Sequence, residues 1–126
     1  MKKIFLGIAL AILLASCSSS SGVKNLGVEE FLGKTQQLNV QIIDVRTAAE
    51  FAQGHLQNAI NIDVQSGVFD QEITKLDKTA SYAIYCRSGR RSAIAAGKMS
   101  DAGFTTIFNL QNGGFAELAQ VGAPTS

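Results

Sequence analysis

The sequence has little of what usually announces a function. Its 126 residues include two cysteines and one histidine. One histidine and one free thiol about 30 residues apart do not make the four ligands of a metal site, so no metal or other cofactor is expected. Charge of neither sign dominates, with 11 basic and 10 acidic residues. So even a balance argues against polybasic binding, and no nucleic-acid partner is expected. Long hydrophobic runs are also missing. The apolar stretch at residues 4–14 falls short of the ~20 residues that cross a bilayer as a helix. There is no internal repeat, and the only low-complexity stretch is a run of serines at residues 18–21.

What is present at the start reads as a processing signal. Met1-Lys2-Lys3 is a basic segment, residues 4–14 are apolar, and Leu14-Ala15-Ser16-Cys17 follows. A secretory signal cut after small residues is the plainer reading. The segment also resembles the lipobox of bacterial lipoproteins, which implies removal of residues 1–16 and a lipidated Cys17. Anchoring by more than one acyl chain is stable where a single chain is marginal. Cys17 with residues 18–22 is then a flexible tether. Residues 23–126 form one domain of about 100 residues, enough for one core and not two. Loss of Lys2 and Lys3 turns 11 basic residues into 9 against 10 acidic, a net charge near −1. The expected location is extracytoplasmic and lipid-anchored to the membrane, which in a Gram-negative cell means the periplasmic side. Ser18 resembles an outer-membrane sorting signal. With Cys17 lipidated, Cys86 is the sole thiol, no internal disulfide can form, and the core must hold the domain.

Strand-like and helix-like segments alternate along that domain. Residues 23–26 are a weak strand, 27–34 a short helix and 40–45 a strong β-branched strand. Thr47 with Glu50 fits a capping box for a helical turn over 47–53, which Gly54 ends. Residues 59–62 are a short strand, 70–76 a turn or two of helix, and 82–85 a central strand, apolar on both faces. Residues 92–102 are a helix stopped by Gly103, 105–110 a strand and 115–119 a last helix; 123–126 are expected to fray. Phe31, Phe51, Phe69, Phe104 and Phe108 read as core. Such alternation implies an α/β fold, a parallel sheet covered on both faces, with every strand-to-helix loop on one edge. Asp44-Val45-Arg46 and Cys86 both fall at strand carboxyl ends, where ligands of such sheets bind.

Cys86 is the most informative residue. It ends the run Ser81-Tyr82-Ala83-Ile84-Tyr85 and precedes Arg87-Ser88-Gly89-Arg90-Arg91-Ser92 and an Ala-rich stretch. A thiol at a strand–turn–helix junction faces backbone N–H groups and the positive end of a helix. Three of the four arginines lie within five residues of it. Both effects favour thiolate. An ordinary thiol near pKa ~8.5 is about 3% ionised at neutral pH, and a depression of about two units raises that to roughly three quarters. A lone cysteine is by default a buried structural residue; here the surrounding loop reverses that preference.

Three motifs together resemble the single-domain rhodaneses, a family of sulfurtransferases. The first runs Asp44-Val45-Arg46, Glu50-Phe51, Gly54-His55-Leu56 and Ala59-Ile60-Asn61-Ile62. The second is the loop Cys86-Arg87-Ser88-Gly89-Arg90-Arg91-Ser92. The third is Leu110-Gln111-Asn112-Gly113-Gly114-Phe115. The resemblance covers nearly all of residues 23–126. Two departures stand out: Gln57-Asn58-Ala59 replaces the commoner Pro-Gly-Ala, and no tryptophan follows Gly114 where the family often has one. The resemblance implies a three-layer α/β/α rhodanese-like fold whose five-stranded parallel sheet has the order 1-5-4-2-3. It also implies a reaction. The Cys86 thiolate takes the outer sulfur of a small anionic donor such as thiosulfate, and a thiol or cyanide acceptor removes it from the persulfide. Two half-reactions on one residue imply ping-pong kinetics.

Roles for the neighbours follow. Amides of the loop from Cys86 to Arg91, including those of Arg87, Ser88, Gly89 and Arg90, are expected to curl around the sulfur. Gly89 supplies backbone freedom. Arg87 or Arg90 steers an anionic donor, while Arg91 turns inward to a carbonyl or to an acidic partner, Asp44 or Glu50. Arg46 and His55 are expected to be structural. A related phosphatase chemistry would need arginine six residues after the cysteine, to grip phosphate bidentately. Ser92 stands there. The reading of another class is a non-catalytic tethered module that binds a partner or senses sulfur species.

Overall fold

The computed structural model describes residues 22–126. The proposed signal, Cys17 and the serines of the tether lie outside the described residues. Among the described residues ten elements alternate: β1 (Val23–Leu26), α1 (Val28–Thr35), β2 (Val40–Asp44), α2 (Ala48–Gln53), β3 (Ile60–Asn61), α3 (Phe69–Ile73), β4 (Ser81–Tyr85), α4 (Arg90–Asp101), β5 (Thr106–Leu110) and α5 (Phe115–Gln120). The strands form one parallel sheet in the order β1-β5-β4-β2-β3, as expected.

Two-residue periodicity divides the strand side chains between two cores. Ile43, Tyr82, Ile84, Cys86 and Ile107 face α3 and α4, where Phe69, Ile73, Ala95, Ala96 and Met99 are buried against them. Val40, Ile42, Ala83, Tyr85, Phe108 and Leu110 face the other way, toward Phe31 of α1 and Leu118 of α5. The result is three layers, helix–sheet–helix, with β4 buried on both faces. Asp44 of β2 lies beside Tyr85 of β4, and the Val45 N–H donates to the Tyr85 carbonyl at 3.1 Å. The carboxyl ends of the two strands therefore share one rim.

Several boundaries differ from expectation, each for a local reason. The helix after Cys86 begins at Arg90 rather than at residue 92, because Gly89 turns the chain with φ +96°, in the left-handed region open to glycine. Phe51 is half-buried rather than core: it lies flat against His55, with ring centroids 3.6 Å apart. The C-terminal residues do not fray. The Ser126 N–H donates to the His55 carbonyl at 2.9 Å, and the His55 and Gln57 amides donate to the Ser126 and Pro124 carbonyls. Thr125 bridges antiparallel to Leu56, and Ala123 is buried against the α1/α5 core. A tail without hydrophobic periodicity is held by backbone pairing, which side-chain patterns do not announce.

Candidate active site

Cys86 follows the last residue of β4 and points to the α4 face of the sheet. The turn at Gly89 brings the first turn of α4 beneath it. The Gly89 N–H donates to Sγ at 3.1 Å, and the thiol lies 3.5 Å from the Ser92 hydroxyl oxygen. No side chain caps α4 in the ordinary way. Sγ takes that place, accepting from free N–H groups at the helix start. Burial pushes the Cys86 thiol up, but hydrogen bonds from the Ser92 hydroxyl and from the amides of Ser92, Ser88 and Gly89 outweigh it, and the net shift is downward. The residue has no exposed area. It is buried with its amides turned toward it, an arrangement that holds an anion.

Of the loop's amides, that of Gly89 meets the sulfur at 3.1 Å, and those of Ser88 and, past the loop, Ser92 also lower its pKa. Arg90 and Arg91 already belong to α4.

A second ring of contacts fixes the cradle. Arg91 grips Glu50 with two hydrogen bonds, at 2.6 and 3.0 Å. The same Glu50 completes the capping box with Thr47 at the start of α2. The Arg91 guanidinium holds the Glu50 carboxyl down at about 2. Asp44, the other candidate partner, is taken by Arg46, whose Nε and Nη2 reach the buried carboxylate at 2.7–3.0 Å. Arg46 also donates to the Gly54 carbonyl at 2.6 Å and lies over the Phe115 ring, 4.6 Å from its centroid. His55 sits apart from the sulfur's hydrogen-bond shell. Its Nδ1 is 2.9 Å from the Phe51 carbonyl and its backbone holds the C-terminal tail. Arg87 and Arg90 are exposed, and neither takes part in an ion pair among the described residues.

Two residues of the site escaped sequence reasoning. Ser92 stood out only as the position where a phosphatase would carry arginine. Gly114 stands in the sequence only as part of the third motif, yet it lies against the cradle's other side. A Cβ there would come within 2.0 Å of the Arg87 carbonyl oxygen and 2.4 Å of that of Cys86. The next amide, Phe115 N–H, donates to the Cys86 carbonyl at 3.0 Å. Beside the loop opens a cleft of about 470 Å³ lined by Arg46, Glu50, Gln53, Gly54, Arg87, Phe115 and Ala116.

Comparison with known proteins places this geometry. A family model described as a rhodanese-like domain matches residues 27–120. The chain is 33% identical over 86 residues to a protein named sulfurtransferase from Allochromatium vinosum, covering 68% of this chain and 78% of that protein. It is 36% identical over 78 residues to the thiosulfate sulfurtransferase PspE of Escherichia coli, covering 61% of this chain and 72% of that one. The solution structure of a rhodanese-like domain from an Anabaena protein superposes with a TM-score of 0.72 at 20% identity, covering 81% of this chain and 77% of that one; this last likeness is one of fold.

Proposed function

The chain belongs to the rhodanese-like domain family, and on that premise we propose that it transfers sulfane sulfur from a small anionic donor, such as thiosulfate, to a thiol or cyanide acceptor through a persulfide on Cys86. One observation carries the reading: Sγ, wholly buried, accepts hydrogen bonds that lower its pKa against the pull of burial. The thiolate attacks the outer sulfur of the donor. A bond forms between the two sulfurs, the bond within thiosulfate breaks, and its electron pair leaves with sulfite. The persulfide's terminal sulfur is acidic, and the N–H groups at the start of α4 suit its negative charge as they suit the thiolate's. No general base is required, which agrees with the position of His55 away from the sulfur. Arg87, exposed and lining the cleft beside the loop, supplies unneutralised positive charge there, and Arg90 adds a second exposed charge at the start of α4; one or both draw the anionic donor in. Because Cys86 has no exposed area, a donor reaches Sγ only when the residues covering it move aside.

The test is the mass of the purified domain after incubation with thiosulfate and removal of excess donor. The expected result is a gain of about 32 Da, one sulfur atom, that is absent in Cys86→Ser and reversed by an added thiol or cyanide. No gain with any sulfane donor would instead support the non-catalytic module.

The start of the sequence supports a second part of the reading, that Cys17 carries lipid and holds the domain outside the cytoplasm. Mass analysis of the mature N-terminus tests it. An intact Met1 or an unmodified Cys17 in membrane-fractionated bacterial cells would remove the anchor.

A further inference from the structure

We propose that the Ser92 hydroxyl is a switchable hydrogen-bond donor to the Cys86 sulfur, and so a catalytic residue of the transfer reaction. The proposal rests on Cys86 as the sulfur carrier and assigns that carrier a partner. Ser92 has no exposed area. Its Oγ lies 3.5 Å from Sγ, 3.2 Å from the Gly89 carbonyl oxygen and 3.4 Å from the Leu110 carbonyl oxygen. One hydroxyl proton thus has three acceptors around it and can serve them in turn.

The choice depends on the charge of the sulfur. With a neutral thiol, S–H donates to Oγ and the hydroxyl proton points to a carbonyl. With a thiolate, the sulfur can only accept, and the hydroxyl turns toward it. Hydrogen bonds to an ionised partner are stronger than those between neutral groups, so the exchange favours the anion. Gly89's carbonyl is not left bare, because it also accepts the Ala93 N–H at 3.2 Å. No water need enter the buried site to follow the charge.

The donor's effect then differs between the half-reactions. In loading, Sγ gives its electron pair to the new sulfur–sulfur bond and loses its charge, and the hydroxyl swings back to a carbonyl. In discharge, the acceptor thiolate bonds to the terminal sulfur. The bond between the two sulfurs breaks, its electron pair stays on Sγ, and the hydroxyl returns. Ser92 therefore stabilises the leaving group of discharge and the nucleophile of loading. Its loss slows discharge, while loading measured where the thiol is fully ionised is unchanged or faster.

The fixed charges around the sulfur do not depend on this side chain. Arg91 lies close enough for its charge to be felt by Cys86, and it is offset by Glu50 and faced by Asp63. Asp44 and Arg46 neutralise each other at the end of β2. A change on removing the hydroxyl thus belongs to the hydroxyl.

The test is titration of the Cys86 thiolate by its ultraviolet absorbance in the full domain, with circular dichroism to confirm folding. Ser92→Ala is expected to raise the midpoint by about one unit, a roughly tenfold drop in the thiolate-to-thiol ratio below it, and to slow persulfide discharge by a similar factor. Ser92→Thr, which keeps the oxygen and its proton, is expected to hold the wild-type midpoint. An unchanged midpoint in folded Ser92→Ala overturns the proposal, as does an equal shift in Ser92→Thr, which would assign the effect to packing. The titration needs no sulfur donor, so its failure is distinct from a failure of sulfur uptake.

Discussion

Tyr85 and Cys86 are adjacent in the chain, both wholly buried and both weak acids, yet their surroundings push them in opposite directions. Burial raises both. Each also meets a backbone donor: the Leu56 N–H reaches the Tyr85 hydroxyl at 2.9 Å, and the Gly89 N–H reaches Sγ at 3.1 Å. The difference lies in what else faces each group. Tyr85 points toward α1 and α5, where its hydroxyl donates a hydrogen bond to the Asp44 carboxylate, whose negative charge adds to the effect of burial, so its pKa rises. Cys86 points toward α4, where it meets the Ser92 hydroxyl and the amides of Ser88, Gly89 and Ser92, so its pKa falls. The alternation of side chains along a strand turns one step of sequence into a change of face. Burial is common to the two residues and cannot set the sign; the count of donors against carboxylates does.

The sharpest way to break this contrast is to push the cradle out of shape while leaving its polar groups in place. Gly114→Ala would drive a methyl into the Arg87 and Cys86 carbonyls, which are backbone and cannot swing away. Overpacking of this kind costs about 1–3 kcal/mol, sometimes more. Denaturant unfolding should show a loss at the upper end of that range. Sulfur loading should fall by roughly 100-fold, since a displacement of about 1 Å at reacting atoms is enough for such a loss. Near-normal loading in Gly114→Ala would mean that the turn merely passes by the cradle.

Gly114 also marks where sequence reading ran out. The shared rim of Asp44 and Cys86 was legible, because strands alternating with helices put all strand ends on one edge. Glu50 was legible as one of two partners for Arg91; choosing between them needed Arg46, which had already occupied Asp44. Ser92 was not legible as the sulfur's neighbour. A serine ahead of an Ala-rich stretch looks like an ordinary helix start, and only the left-handed turn at Gly89 tucks it under Cys86. Contacts from Gly114 to Arg87, or from Ser126 to His55, join segments distant in sequence through backbone atoms, which leave no pattern in side-chain type. Local chemistry could be read from the chain, then, while the close approaches that aim it could not.

Glu50→Gln sharpens the contrast from the cradle's outer ring. It removes the charge that holds Arg91 but spares every direct contact of the sulfur. Hydrogen bonds to charged groups are worth about 1.5–3 kcal/mol, and partial solvent exposure of this pair places the expected loss of stability nearer 1. The carboxyl's folded pKa is depressed to about 2, so the bridge is at full strength above the unfolded carboxylate value of about 4.3 and fades as pH falls through the folded one. The stability gap between wild type and variant should therefore close between about pH 5 and pH 2. Unfolding curves across that range check this. A gap that persists in acid would mean that Glu50 acts by packing or capping rather than by charge.

The smallest effect is expected from Tyr85→Phe, which tests the contrast from its other side. The substitution keeps the ring against Phe31 and Phe115 but removes the hydroxyl that receives the Leu56 N–H and donates to Asp44. One buried amide is left without its partner, which costs about 1–3 kcal/mol; Asp44 keeps its hydrogen bonds from Arg46, so a loss at the lower end, about 1 kcal/mol, is expected. If the two faces of the sheet set their electrostatics independently, the Cys86 thiolate midpoint and the rate of sulfur loading stay at wild-type values in the same protein. The alternative is a midpoint displaced by a full unit. It would mean that the Asp44–Arg46 pair, released from Tyr85, makes its charge felt across β4, and that the opposite signs at residues 85 and 86 belong to one coupled network rather than to two faces.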